Sequence, residues 1–223
     1  MNTPQVAYNI KTVKRQDKNY PFRLNDLYDP PQTLYIYGNV ELLQQPMIAI
    51  VGARNASIRG MEIAAEFAKA LSKAGLVVVS GLARGIDGAS HRAAIATRGG
   101  TTLAVCGTGL DITYPREHTQ LASVIRQRGL LVSEFSPGIG PKPFHFPRRN
   151  RIIAALALGV VVIEAADKSG SLITARIAAE LGREVFALPG PIDNPLYRGC
   201  NHLIQEGAKL VCSPSEVLED LLL

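Results

Sequence analysis

The chain has 223 residues, 47% of them hydrophobic, with a formal charge of +5. That is enough apolar material for one sizeable core in a single long α/β unit. No apolar run is long enough to cross a bilayer, and the first residues lack a charged-then-apolar leader pattern, so a cytoplasmic protein is expected. Cys106, Cys200 and Cys212 form no CxxC pair and have no histidine at zinc spacing, so they are read as unligated thiols.

Residues 1–45 are polar and carry Lys11, Lys14, Arg15, Lys18 and Arg23. They are read as an N-terminal extension packed on the core, with a short strand over Leu34 to Tyr37 and the first ten residues frayed. From Pro46 onward, short apolar runs alternate with helical patterns, which makes 46–223 the core domain. The runs are Met47 to Val51, Leu76 to Ser80, Thr101 to Cys106, Gly129 to Ser133, Val160 to Glu164, Glu184 to Leu188 and Lys209 to Cys212. They are rich in Val, Ile, Leu and Ala and alternate little, as strands buried on both faces do. Between them, Met61, Ala64, Ala65, Ala68 and Leu71 mark a helical stripe that Gly75 stops. Further helices are expected near 87–98, 116–128, 147–158, 171–181, 200–206 and 214–222. Repeated β-α-β spacing predicts an α/β fold of extended Rossmann-like type: a doubly wound, mostly parallel sheet with helices on both faces.

In such a sheet, ligands bind outside the carboxyl ends of the strands. Five turns expected at that edge are rich in Gly, Ser and Arg. In the first, Gly52 to Ser57, Ser57 is the expected N-cap, the helix start offers an anion site, and Arg54 adds a planar fork of donors. The second runs from Ser80 to Gly88. Its glycines allow close backbone approach, Asp87 is the expected N-cap, and His91 is read as a structural hydrogen-bonding residue. The third, Gly107 to Asp111, has two glycines and is weak by itself.

The fourth turn, Phe144 to Arg151, has Pro147 at the expected first helical position. Arg148, Arg149 and Arg151 suit phosphates, and Phe146 either joins the core or stacks on a base. The fifth, Asp167 to Ser171, is a Ser-Gly-Ser nest for an anion with Lys168 beside it. Asp87, Glu134, Glu164 and Asp167 lie at strand ends. They are read as hydrogen-bonding groups and arginine partners rather than metal ligands, so no metal site and no cofactor is expected.

Taken in order, these stretches resemble the DNA-processing protein A family (DprA, also called Smf). The matching segments include GARNASIRG at 52–60, SGLARGIDGASH at 80–91, GTGLDITYP at 107–115, FPRRNRIIAAL at 146–156, EAADKSGSLITARIAAELGR at 164–183, FALPGPID at 186–193 and GCNHLIQEGAKLV at 199–211. The resemblance covers about 34–212. It implies a non-enzymatic protein that binds single-stranded DNA, protects incoming DNA and loads the recombinase RecA in natural transformation, and that forms a homodimer. Carried over by motif, it implies DNA contacts at Arg54, Ser57, Arg84, Arg148, Arg149, Asn150, Arg151, Lys168, Ser169, Gly170, Ser171 and Thr174, and Phe146 joins them as the stacking candidate of the fourth turn. It implies dimer contacts at Asn201, His202, Leu203 and Ile204. Many members add an N-terminal helical domain and a C-terminal winged-helix-like domain, to which no stretch of this sequence corresponds.

Three other readings are weighed against this one. A nucleotide-binding or nucleotide-cleaving enzyme of the lysine-decarboxylase-like group is the main alternative, although the Lys168 to Ser171 turn lacks that group's PGGxGTxxE pattern. A nicotinamide dehydrogenase is disfavoured because the first turn lacks GxGxxG and no acidic residue ends the strand Leu76 to Ser80. A pure protein-interaction module leaves the arginine-rich turns without a role.

Overall fold

The computed structural model describes residues 9–221. Its strands are β1 (Lys11–Lys14), β2 (Thr33–Gly38), β3 (Met47–Gly52), β4 (Val77–Ser80), β5 (Thr102–Cys106), β6 (Leu130–Ser133), β7 (Gly159–Ile163), β8 (Glu184–Ala187) and β9 (Lys209–Leu210). The helices are α1 (Ile58–Lys73), α2 (Ile86–Ala96), α3 (Thr119–Arg128), α4 (His145–Leu156), α5 (Gly170–Glu180), α6 (Arg198–Gln205) and α7 (Pro214–Asp220). The described strands form one sheet in the order β1-β2-β6-β5-β4-β3-β7-β8-β9. From β6 to β9 every neighbouring pair is parallel.

Period-two alternation sorts the central strands onto two faces. Met47, Ala49, Val51, Val77, Val79, Val160 and Val162 face α4, α5 and α6. Ile48, Ile50, Val78, Val161 and Ile163 face α1, α2 and α7. Both faces are therefore covered, and β3 through β7 are buried almost without a break. A smaller cluster under α3 closes the β5–β6 end.

The N-terminal extension enters the sheet itself: β1 and β2 pair antiparallel, and β2 pairs antiparallel with β6. Tyr20, Leu24 and Leu27 join the core under α4. The expected fraying of the first ten residues concerns mainly residues 1–8, which lie outside the described residues, as does the last residue of the expected helix 214–222. Ile10 packs beside the α3 cluster.

Two local expectations are corrected. Helix α2 is capped by Gly85 at φ +67 rather than by Asp87. The Asp87 carboxylate instead accepts from the backbone N–H groups of Gly81 (3.1 Å) and Ala83 (3.3 Å). Helix α4 begins at His145, so Pro147 is its third residue rather than its first. Proline is tolerated there because first-turn N–H groups have no intrahelical acceptor.

Successive strands run outward from β3 through β4, β5 and β6, and in the other direction from β7 through β8 and β9. Chain direction across the sheet reverses between β3 and β7. The loops leaving the carboxyl ends of those two strands diverge to opposite faces and leave a crevice between them.

Candidate nucleic-acid interface

A cleft of about 590 Å³ opens at that crevice. The loop after β3 supplies Arg54 and Asn55, the β4–α2 region supplies Asp87, α4 supplies Asn150, and the loop after β7 with α5 supplies Lys168 and Thr174. Arg54 is one of its lining residues. It also borders two adjoining clefts, of about 70 and 420 Å³, that share Tyr114 and Phe146. Its guanidinium lies 5.3 Å from the centre of the Phe146 ring, and Tyr114 lies 5.4 Å beyond. Phe146 is half-buried, backed by Gly107, where a Cβ would come within 2.9 Å of the ring. Arg54 is exposed and forms no salt bridge among the described residues.

Both helix N-termini nearest the cleft were expected to attract anions, and the structure separates them. At α1 the position is already filled. The Glu164 carboxylate accepts from the Ser57 N–H (2.8 Å) and from the Ser57 hydroxyl (2.5 Å), while the same hydroxyl accepts from the Gly60 N–H (2.9 Å). A buried carboxylate thus neutralises the positive end of the helix. The expectation that Ser57 offers its groups to a phosphate is revised, because both are already bonded within the protein. Glu164 holds a left-handed backbone, φ +50. Such strain in a non-glycine residue costs about 1–3 kcal/mol and persists only where its surroundings impose it.

At the α5 N-terminus the bonds are local: the Ser171 N–H donates to Ser169 Oγ and the Leu172 N–H to the Ser169 carbonyl, while the space beside Gly170 stays clear. Ser169 caps it and shares a 2.7 Å hydrogen bond with the Ser171 hydroxyl. A Cβ placed on Gly170 would meet nothing within 4 Å. Thr174 is 1% exposed and lines the cleft one turn in. Lys168 is exposed at the rim and is likewise without a salt bridge among the described residues. The Gly170 amide, the helix dipole and a mobile ammonium together make an anion site.

The expected arginine cluster divides into groups with different surroundings. Arg149 is buried at 4% exposure. Its Nη1 donates to the carbonyls of Gly81 and Val105, and its Nε donates to the Asn150 side chain at 3.1 Å. Burial lowers its pKa, opposed by the Asp87 charge. Burial in turn raises the pKa of Asp87, opposed by Arg149. Arg149 therefore ties the ends of β4 and β5 together and contributes to the cleft wall, instead of projecting freely as a phosphate ligand.

Arg148 and Arg151 share Glu134. Arg148 grips it with Nε at 2.9 Å and Nη2 at 3.0 Å, and Arg151 Nη2 binds it at 2.5 Å. Both also reach Asp29 in the extension. Arg84 pairs with Glu117 at 2.6 Å on the rim of the small cleft. Of the carried-over set, the main cleft brings together Arg54, Arg149, Asn150, Lys168, Ser169, Gly170, Ser171 and Thr174, with Phe146 and Arg84 on the adjoining clefts.

Asn55, Tyr114 and Lys142 also line these clefts, although the sequence reading did not place them there. The signals were present. Asn55 follows Arg54 directly, Tyr114 is the last residue but one of the GTGLDITYP stretch, and Lys142 lies between two prolines. His91 is buried as expected of a structural residue, with Nδ1 2.7 Å from Thr102 Oγ1 and Nε2 accepting from the Leu82 N–H. Asn201 bonds the backbone of Gly190 in both directions (3.2 and 3.0 Å). His202 is exposed beside Glu206, and Leu203 and Ile204 pack half-buried against the core. None of these four lines the cleft.

The sequence matches the profile of the family described as DNA recombination-mediator protein A over residues 11–222. It is 50% identical to the DNA processing protein DprA of Streptococcus pneumoniae across 92% of this chain and 72% of that protein. It is 48% identical to protein Smf of Escherichia coli across 96% of this chain but only 57% of that protein. In three dimensions it is similar to the S. pneumoniae DprA structure, with a TM-score of 0.91 at 48% identity, covering 95% of this chain and 74% of that one. The Helicobacter pylori DNA processing protein A, whose structure concerns its single-stranded DNA binding mode, matches with a TM-score of 0.87 at 30% identity over 97% of both chains. A molybdenum cofactor binding protein from Rippkaea orientalis, at 16% identity and a TM-score of 0.57 over 80% of this chain and 98% of that one, shares the fold alone.

Proposed function

Because the chain belongs to the DNA recombination-mediator protein A family, we propose that its cleft between β3 and β7 holds single-stranded DNA. One observation carries the reading: Arg54 and Lys168, neither with a salt bridge among the described residues, meet the unobstructed Gly170 start of α5 in one cleft beside Phe146 and Tyr114. Backbone amides and two cations hold phosphates, and the aromatic pair offers stacking faces that tolerate any base. Three of the four carboxylates at the strand ends have other duties. Glu164 is bonded to Ser57, Glu134 to Arg148 and Arg151, and Asp87 to backbone amides. This supports a binding protein over the nucleotide-cleaving alternative.

The wider role in this reading is DNA processing during natural transformation: protection of the incoming strand and delivery to RecA. It acts as a homodimer through α6, where Asn201 to Ile204 lie away from the cleft. No helix among the described residues is long and apolar enough to cross a membrane, and a cytoplasmic location belongs to the proposal.

Anisotropy of labelled oligo-dT against a duplex of equal length, at two salt concentrations, tests it. The expected result is preference for the single strand and weaker binding at higher salt, with a log–log slope of about −0.7 per phosphate neutralised. Equal binding of both forms, or a flat salt response, refutes it.

A further inference from the structure

The loop that carries Arg54 is fastened at both ends to one residue. At its start, the Ala53 N–H donates to the Glu164 carbonyl at 2.7 Å. At its finish, the Ser57 N–H and hydroxyl donate to the two carboxylate oxygens of Glu164. Glu164 is fully buried and held in a left-handed backbone. Gly60 leaves room for its carboxylate, since a Cβ there would lie 2.3 Å away. The other hold on the loop, from the Ile86 N–H to the Ala53 carbonyl at 3.3 Å, reaches only the starting end. The residues between, Arg54 to Ala56, have their span set by Glu164.

We infer that Glu164 is the positioning residue for Arg54, setting the loop so that the guanidinium stands over Phe146 and faces the strand. Glu164 touches no nucleotide itself and acts through the loop. The inference rests on the cleft being the strand-binding site. A carboxylate beneath a polyanion site weakens its field, but this one is screened by the α1 N-terminus and by two hydrogen bonds from Ser57. Its geometric role therefore outweighs its charge.

The test is a thermodynamic cycle read by oligo-dT anisotropy. Glu164→Gln keeps the shape but offers one acceptor where Ser57 presents two donors. It is expected to lower affinity about tenfold, the size expected for loss of one charge-assisted hydrogen bond. On an Arg54→Ala background the same change is expected to cost nothing further, because Glu164 acts only through that arginine. Ser57→Ala, which leaves the glutamate in place but removes one of its two Ser57 donors, gives the same pattern, and Ser57→Thr, which keeps the hydroxyl, restores most of the affinity. Wild-type binding by Glu164→Gln and Ser57→Ala, or a loss that adds in full to that of Arg54→Ala, overturns the inference. Wild-type binding by Arg54→Ala alone overturns the cleft reading beneath it.

Discussion

Replacing Arg54 by Ala is the most direct perturbation of the cleft. The side chain is exposed, forms no salt bridge among the described residues and borders all three clefts. Its removal therefore strands no buried partner. The fold loses only the contact with Phe146 at 5.3 Å, worth about 0.5–1 kcal/mol at an exposed site. The bound state loses a charge-assisted contact to phosphate, worth about 1.5–3 kcal/mol. At about 1.4 kcal/mol per decade, affinity falls roughly 10- to 150-fold. One fewer neutralised phosphate also flattens the log–log salt slope by about 0.7. The loss is uniform across base sequences, because phosphate contacts carry little sequence information. Anisotropy titrations of several oligonucleotides across a salt series, with thermal unfolding as the control, measure all three effects. An intact thermal transition with unchanged affinity and unchanged slope refutes the placement of a phosphate at Arg54.

Two glycines separate stability from binding. Gly60→Ala forces a Cβ to 2.3 Å from the buried Glu164 carboxylate and is expected to destabilise by about 1–3 kcal/mol in urea denaturation. Gly170→Ala meets nothing within 4 Å and is expected to leave stability within about 0.5 kcal/mol, yet to weaken strand binding if a phosphate approaches the α5 amides. Arg149→Met leaves the Gly81 and Val105 carbonyls without their donor and removes the positive charge that offsets the buried Asp87 carboxylate. A loss of about 3–5 kcal/mol follows, and a drop below 1 kcal/mol in chemical denaturation contradicts that role. Burial lowers the His91 pKa from 6.5 to about 3. The folded protein then binds fewer protons at this site than the unfolded chain, so its stability falls as pH drops from about 6.5 towards 3. Asp87, whose pKa burial raises, acts in the opposite direction, as stability is lost when pH rises through its folded value. Comparing the pH profile with that of His91→Gln isolates the histidine contribution, and identical profiles contradict it.

Much of the sheet was legible because burial on both faces imposes a local signature. The run Val160 to Glu164 and the stripe Ala64, Ala68 and Leu71 report their surroundings through their own composition. The β1 strand was missed because its alternation is short and only Val13 faces inward. The α2 cap was misjudged because Asp87 fits a local capping rule, whereas its carboxylate reaches back to Gly81. The candidate site was legible as a set of turns, not as a set of roles. Arg148, Arg149 and Arg151 look alike in sequence, but Arg148 and Arg151 pair with Glu134 while Arg149 is buried against the Gly81 and Val105 carbonyls.

By itself, the sequence determined the alternating buried strands, the glycine-rich turns that follow them and hence the edge where a ligand can sit. Those properties depend on neighbours a few residues away. Only the tertiary structure decided which polar groups remain open to a strand. Ser57 meets Glu164 across 107 residues, and Arg149 meets Gly81 across 68. A donor is open or already bonded according to what the fold brings against it, and spacing along the chain holds no record of that.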